Sequence, residues 1–303
     1  MAVDMSGSHS RRWRRWPGLV LALAVMMLPG ALSPTVAAAG VQPVHPGFGY
    51  LALGDSVAFG YRPPAVTPQA DYFDADNFVG YPEDLAAARS LRLANASCPG
   101  ETTASMITAG AQSNGCENSL GSPVGYRTVF PLHVAYSGTQ LAFAVDYLRS
   151  HPRTRLVTIN IGANDLFLCQ ATTADRCTGA DFPAALRQIS ENLTTILTAL
   201  RETAHYHHDL ALLTYYSLNY ADPVQVAGTT ALNAALVAVA ARFDVVVADG
   251  FAAFLHASQS FGGDSCAAGL LIALPGGGCN IHPSALGHQV LAAAVDDVVP
   301  SSP

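Results

Sequence analysis

The sequence contains no lysine; all 15 basic residues are arginine. That absence removes Schiff-base catalysis and a phosphate-gripping P-loop lysine from consideration. Charge of either sign is sparse: 12% of residues are charged against 50% hydrophobic, so a sizeable core can form. With a formal net charge of −7, the chain lacks the basic surface needed to displace phosphate counterions, and no nucleic-acid partner is expected. Cys-x-x-Cys and His-x-x-x-His spacings are missing, so no metal site is expected. A Gly-x-Ser-x-Gly elbow is also missing, which argues against an α/β-hydrolase. Nothing calls for an organic cofactor or a second subunit, and a monomer is expected.

The first 39 residues have the layout of an export signal. Arg11-Arg12-Trp13-Arg14-Arg15 forms a basic n-region, Gly18 to Leu28 an apolar stretch, and Ala37-Ala38-Ala39 a small-residue cleavage site. The apolar stretch is too short for a bilayer core of roughly 30 Å, so no stable span is expected after cleavage. Residues 40–303 are read as one domain of a secreted protein. Six cysteines fall in this part, an even number that favours disulfides behind a signal peptide. Six allow fifteen pairings, but they lie in three close pairs along the chain. Sequential bridging is therefore expected: Cys98–Cys116, Cys169–Cys177 and Cys266–Cys279.

From residue 47 onward, short apolar runs alternate with helical stretches. Strands are expected at Phe48–Leu53, Leu91–Asn95, Arg155–Ile161, Leu210–Tyr215 and Val245–Ala248. Helices are expected near Tyr81–Leu91, Gln140–Ser150, Pro183–Tyr206 and Gln225–Arg242, with a last one having Pro283 in its first turn. On that last helix, Leu286, Val290, Ala294 and Val298 are the expected stripe. This alternation predicts an α/β fold with a parallel sheet covered on both faces.

In such a sheet, ligands bind beyond the carboxyl ends of the strands. The first strand ends at Gly54-Asp55-Ser56, the second runs into Cys98-Pro99-Gly100, and the third ends at Gly162-Ala163-Asn164-Asp165. A hydroxyl, a glycine amide and a carboxamide thus share one rim, which are the parts acyl transfer requires. A serine nucleophile needs a base that is neutral near pH 7, so histidine is sought. Of the ten histidines, His282 is singled out: it directly precedes Pro283 at an expected helix start, where the dipole favours neutral imidazole.

These blocks resemble the SGNH subgroup of the GDSL esterase/lipase family across residues 48–299. The first block is Gly54-Asp55-Ser56-Val57-Ala58-Phe59-Gly60; the others are Gly100, Gly162-Ala163-Asn164-Asp165 and His282-Pro283. The resemblance implies a three-layer αβα sandwich, flavodoxin-like, around a five-stranded parallel sheet. It also implies Ser56 as nucleophile, His282 as base, and an oxyanion hole from the Ser56 and Gly100 amides and the Asn164 side chain. A second Gly-Asp-Ser, Gly263-Asp264-Ser265, follows no strand and is read as a turn.

One departure stands out. The family usually carries Asp three residues before the histidine, and here that position is Cys279. A backbone carbonyl near residues 278–280, the Asn280 side chain or Asp264 could orient His282 instead, and the carbonyl is favoured. The expected function is hydrolysis of a lipid or short-chain carboxylic ester. The alternatives are a non-catalytic binding or cell-surface module, or an acetyl esterase acting on polysaccharide. Tyr61, Tyr72, Phe73 and Phe78, on the loop after Ser56, are the expected acyl-pocket residues.

Overall fold

The run Gly49–Gly54 is buried on both faces, as an apolar strand in the middle of a parallel sheet must be. It is β1 of a computed structural model that describes residues 47–300. The expected leader, residues 1–39, lies outside the described residues. In chain order β1 leads to α1 (Ser56–Phe59), α2 (Tyr81–Arg89), β2 (Arg92–Asn95), α3 (Thr103–Ile107) and α4 (Tyr126–Val129). Next come α5 (Gln140–Ser150), β3 (Thr154–Asn160), α6 (Ala163–Thr172), α7 (Asp181–Thr198) and β4 (Asp209–Leu213). The chain continues through α8 (Pro223–Ala240), β5 (Val246–Ala248), α9 (Gly250–Ser258), β6 (Leu271–Ala273), β7 (Cys279–Pro283) and α10 (Ala285–Asp296).

The five strands β1–β5 pair in parallel in the order β2-β1-β3-β4-β5. Helices flank this sheet, as the alternation of elements predicts. The order reverses beside β1, so the ends of β1 and β3 form the crevice where a ligand fits. Helix α7 shows how the pattern produces the packing. Ile189, Leu193, Ile196 and Leu197, and Leu200 in the π-helical turn that follows, are fully buried. Each such side chain contributes about 1.5–3 kcal/mol of hydrophobic stabilisation.

Two expectations fail near the C-terminus. Pro283 does not open a helix: it ends β7, which pairs antiparallel with β6 in a separate two-stranded sheet. A proline is tolerated at such a sheet edge. The last helix begins at Ala285, capped by Ser284, whose side chain accepts the Gly287 N–H. The buried face of α10 carries Gly287, His288, Leu291, Ala292 and Val295, whereas Leu286 is exposed. Each residue of the expected stripe falls one position before a buried one, at 287, 291, 295 and 299. Residues 101–137, where no elements were expected, hold the short helices α3 and α4.

The three sequential disulfides are present, with Cα–Cα separations of 5.5 Å for Cys98–Cys116, 5.4 Å for Cys169–Cys177 and 5.7 Å for Cys266–Cys279. The last joins the start of β7 to the turn carrying Gly263-Asp264-Ser265.

Candidate active site

Ser56 is held by the turn that ends β1. Gly54 has φ +142°, and a Cβ there would lie 2.2 Å from the Asn160 carbonyl of β3, so the position tolerates only glycine. Asp55 caps α1: one of its oxygens accepts the Val57 N–H at 2.9 Å. Its other oxygen accepts from the Tyr215 hydroxyl at 2.5 Å and the Asn164 amide at 3.4 Å. Burial pushes the Asp55 carboxyl up to about 7, because no cation compensates its desolvation. Ser56 follows at the first helical position, its hydroxyl turned outward.

That hydroxyl lies 2.9 Å from His282 Nε2. The other ring nitrogen, Nδ1, lies 2.5 Å from Asn280 Oδ1. The same Asn280 atom accepts the His282 backbone N–H at 3.1 Å, which identifies it as the amide oxygen. Nδ1 therefore carries the proton, and Nε2 is free to accept from Ser56. The favoured backbone carbonyl is not the group that meets the ring: the side chain of Asn280 does. Asp264 is engaged elsewhere, accepting the Cys266 and Ala267 N–H groups within its turn. Ser265 of that second Gly-Asp-Ser is fully buried and donates to the Ser217 carbonyl at 2.8 Å.

Burial lowers His282 to about 4, leaving the imidazole neutral near pH 7. The expected neutrality holds, but the expected cause does not, since the helix starts three residues further on. The ring stands edge-on to Tyr61, centroids 5.1 Å apart. Strand β7 is pinned beside it by the Tyr216 hydroxyl, which donates to the Ile281 carbonyl at 2.7 Å.

The remaining blocks meet through a residue that no motif had marked. Asn114 donates its side-chain amide to Asn164 Oδ1 at 2.9 Å. Its backbone N–H donates to the Gly100 carbonyl at 2.8 Å. Gly100 has φ +82°, and a Cβ on it would strike the Asn114 carbonyl at 2.5 Å. Gly100, Asn114 and Asn164 thus form one connected group. With Oδ1 of Asn164 committed to Asn114, its Nδ2 faces Asp55 Oδ2 at 3.4 Å, and Asn164 lines the same cavity as Ser56. Neither the Ser56 nor the Gly100 backbone N–H donates to a protein acceptor among the described residues. Asp165, the last member of its block, does not face Ser56: it accepts the Thr103 N–H and hydroxyl, fastening α3 to α6.

Gln140 was likewise unforeseen. Fully buried at the start of α5, it accepts the Gly54 N–H at 2.6 Å and donates to the Gly54 carbonyl at 3.0 Å. It also donates to Glu101 at 3.1 Å, tying the end of β1 to the segment after Gly100.

A family model of GDSL-like lipases and acylhydrolases matches residues 52–290. The chain belongs to this family. Its glycine-bounded first block, the Gly100 turn and the α6 start all lie inside the matched span. Among solved structures, a lipase from a goat rumen metagenome is 15% identical with a TM-score of 0.51, the match covering 82% of this chain and 96% of that one. A catalytic mutant of an acetylxylan esterase from Geobacillus stearothermophilus is 18% identical with a TM-score of 0.50, over 82% of this chain and 92% of that one. At these identities the likeness is one of fold. A comparison with curated protein sequences gives no match.

The pocket of this family member lies away from the loop that the sequence pointed to. Tyr72 and Phe78 are buried in a small aromatic cluster with Phe59 and Tyr126, while Phe73 is 70% exposed. Beside Ser56 and His282, a cavity of about 340 Å³ instead opens between α6 and α8.

Proposed function

We propose that this chain is an exported carboxylic ester hydrolase acting through Ser56 and His282. The observation that carries this reading is the relay Ser56 Oγ, His282, Asn280 Oδ1, spaced at 2.9 and 2.5 Å, with the imidazole tautomer fixed by Asn280. In the forward step, Ser56 Oγ attacks the ester carbonyl as His282 Nε2 takes its proton. The tetrahedral oxyanion is stabilised by the unengaged Ser56 and Gly100 N–H groups and by Asn164 Nδ2. His282 then gives the proton to the departing alcohol, leaving an acyl-Ser56 ester. Water repeats the sequence, its proton passing to His282 and then to Ser56 as the acid leaves.

Asn280 supplies orientation without a full negative charge, so it fixes the ring while stabilising imidazolium less than a carboxylate does. The position that carries Asp in relatives is Cys279, bonded to Cys266, and this bridge anchors the strand that bears His282. Three disulfides and the basic-apolar-small layout of residues 1–39 support export. Residues 40–303 are proposed to be the exported domain.

The test is hydrolysis of a short p-nitrophenyl ester, together with labelling by a fluorophosphonate. Wild type is expected to turn over and label; Ser56→Ala should do neither. Equal inertness of both proteins across acyl lengths, with no labelling, would reject the reading.

A further inference from the structure

The cavity beside Ser56 is walled by Leu166 and Phe167 of α6, Phe182 of α7, and Val224 and Leu232 of α8. Gln170, Gln225 and Thr229 also line it, but the exposed lining is mostly apolar, so a sugar would lose more hydration at its hydroxyls than these three side chains replace. Helix α8 is apolar enough along its 18 residues to cross a membrane, yet its buried hydrophobic residues are confined to Leu232, Leu236, Val239 and Ala240. Of its other apolar side chains, Val224 lines this cavity.

Gly228 sits within α8 and lines the cavity. A Cβ built there meets nothing within 4 Å, and no positive φ requires glycine at this position. Glycine in a helix interior costs about 1 kcal/mol relative to alanine. What glycine provides here is space on the cavity side of the helix. At the mouth, Val224 is 79% exposed, Ile281 40% and Phe167 39%, so the apolar surface continues outward.

The acyl group stays bonded to Ser56 through the second half of the reaction, whereas the alcohol leaves after the first. A cavity contiguous with Ser56 can hold the acyl group through both half-reactions but the alcohol only through the first. We propose that this cavity binds a linear, apolar acyl chain of medium length, and that Gly228 sets how long a chain it accepts. The inference rests on the ester-hydrolase reading above and narrows it to acyl-chain lipids rather than acetylated polysaccharide.

The test is kcat/KM for p-nitrophenyl acetate, butyrate, octanoate and palmitate in wild type, Gly228→Ala and Gly228→Phe, with thermal melts as folding controls. Wild type should prefer octanoate to acetate by at least about tenfold, since one methylene in an apolar pocket is worth about 10–200-fold. Gly228→Phe should lower the octanoate-to-acetate ratio at least about tenfold. Gly228→Ala should move it the same way by less, without loss of melting temperature, and carries the test if the phenylalanine variant does not fold. A wild type that prefers acetate, or a folded Gly228→Phe with an unchanged ratio, would overturn the inference. If wild type takes fluorophosphonate at Ser56 in either of those cases, the hydrolase reading survives while the acyl assignment fails. Absence of labelling and of all turnover would remove both.

Discussion

Asn280→Asp places a carboxylate oxygen where an amide oxygen now lies 2.5 Å from His282 Nδ1. Burial holds His282 at about 4 in the wild type. A carboxylate this close raises a histidine by about 1–3 units, so the variant should titrate between about pH 5 and 7. Catalysis needs the neutral ring, which accepts the Ser56 proton. Wild-type kcat/KM should therefore be flat above about pH 5 and fall only as pH drops through about 4. In Asn280→Asp the acid limb should move up by those 1–3 units. Asn280→Ala removes the acceptor altogether. A hydrogen bond to a developing cation is worth about 1.5–3 kcal/mol, which converts to a loss of about tenfold to a hundredfold in kcat, with KM little changed. The assay is quenched release of p-nitrophenol from a short ester between about pH 3 and 9, with melts as folding controls. If Asn280→Ala keeps full kcat and Asn280→Asp leaves the acid limb in place, the ring is not oriented by this side chain and the relay described above is wrong.

Other consequences of the geometry are as directly measurable. Asn114→Ala should lower kcat about tenfold by freeing the Asn164 amide, and Asn114→Asp should lower it further, because a carboxylate recruits Asn164 Nδ2 and turns its oxygen toward the oxyanion; equal kcat in wild type and Asn114→Asp would refute the link. Asp55, raised by burial to about 7, keeps a proton that the unfolded chain loses near pH 4, so its contribution to stability is fully present below about 4 and declines as pH rises to about 7. Denaturant melts of Asp55→Asn should accordingly gain on wild type by a few kcal/mol, to an order of magnitude, between about pH 4 and 8; a pH-independent difference would contradict this. Leu193→Ala, at the centre of the fully buried α7 stripe, should cost about 2–5 kcal/mol in unfolding free energy, with kcat of the surviving folded protein unchanged.

The centre of the sheet was legible because β1, β3 and β4 are largely buried on both faces and so appear as short apolar runs, whereas the edge strands β2 and β5 are part-exposed and give a weaker signal. The site residues at the strand ends were legible too: a strand end is a local feature. What escaped was set by contacts distant in sequence. Asn114 lies 50 residues from Asn164 in a segment with no periodicity. Gln140 reads as an ordinary helix start, although its amide bonds Gly54 from 86 residues away. The β6–β7 hairpin was missed because its strands are short and part-exposed. The α10 stripe was read one residue out of phase because large apolar residues lie on both faces of that segment: Leu286 and Val298 are exposed while Leu291 and Val295 are buried. The aromatics after Ser56 misled for a different reason. Large apolar side chains on a loop can line a pocket or bury one another, and Tyr72 and Phe78 find Phe59 and Tyr126.

The Cys98–Cys116 bridge closes a loop that contains both Gly100 and Asn114. Closing a loop of this length is worth about 3 kcal/mol, and that constraint falls on the half of the site that would receive negative charge. Ser56, His282 and Asn280 lie outside the loop. With this one bridge open and Cys266–Cys279 closed, the anion cradle would stay loose while Ser56 and the strand bearing His282 kept their anchors. On the ester-hydrolase reading proposed above, oxidation of one cysteine pair would then complete the anion cradle, and the redox state of the compartment would govern activity as well as folding.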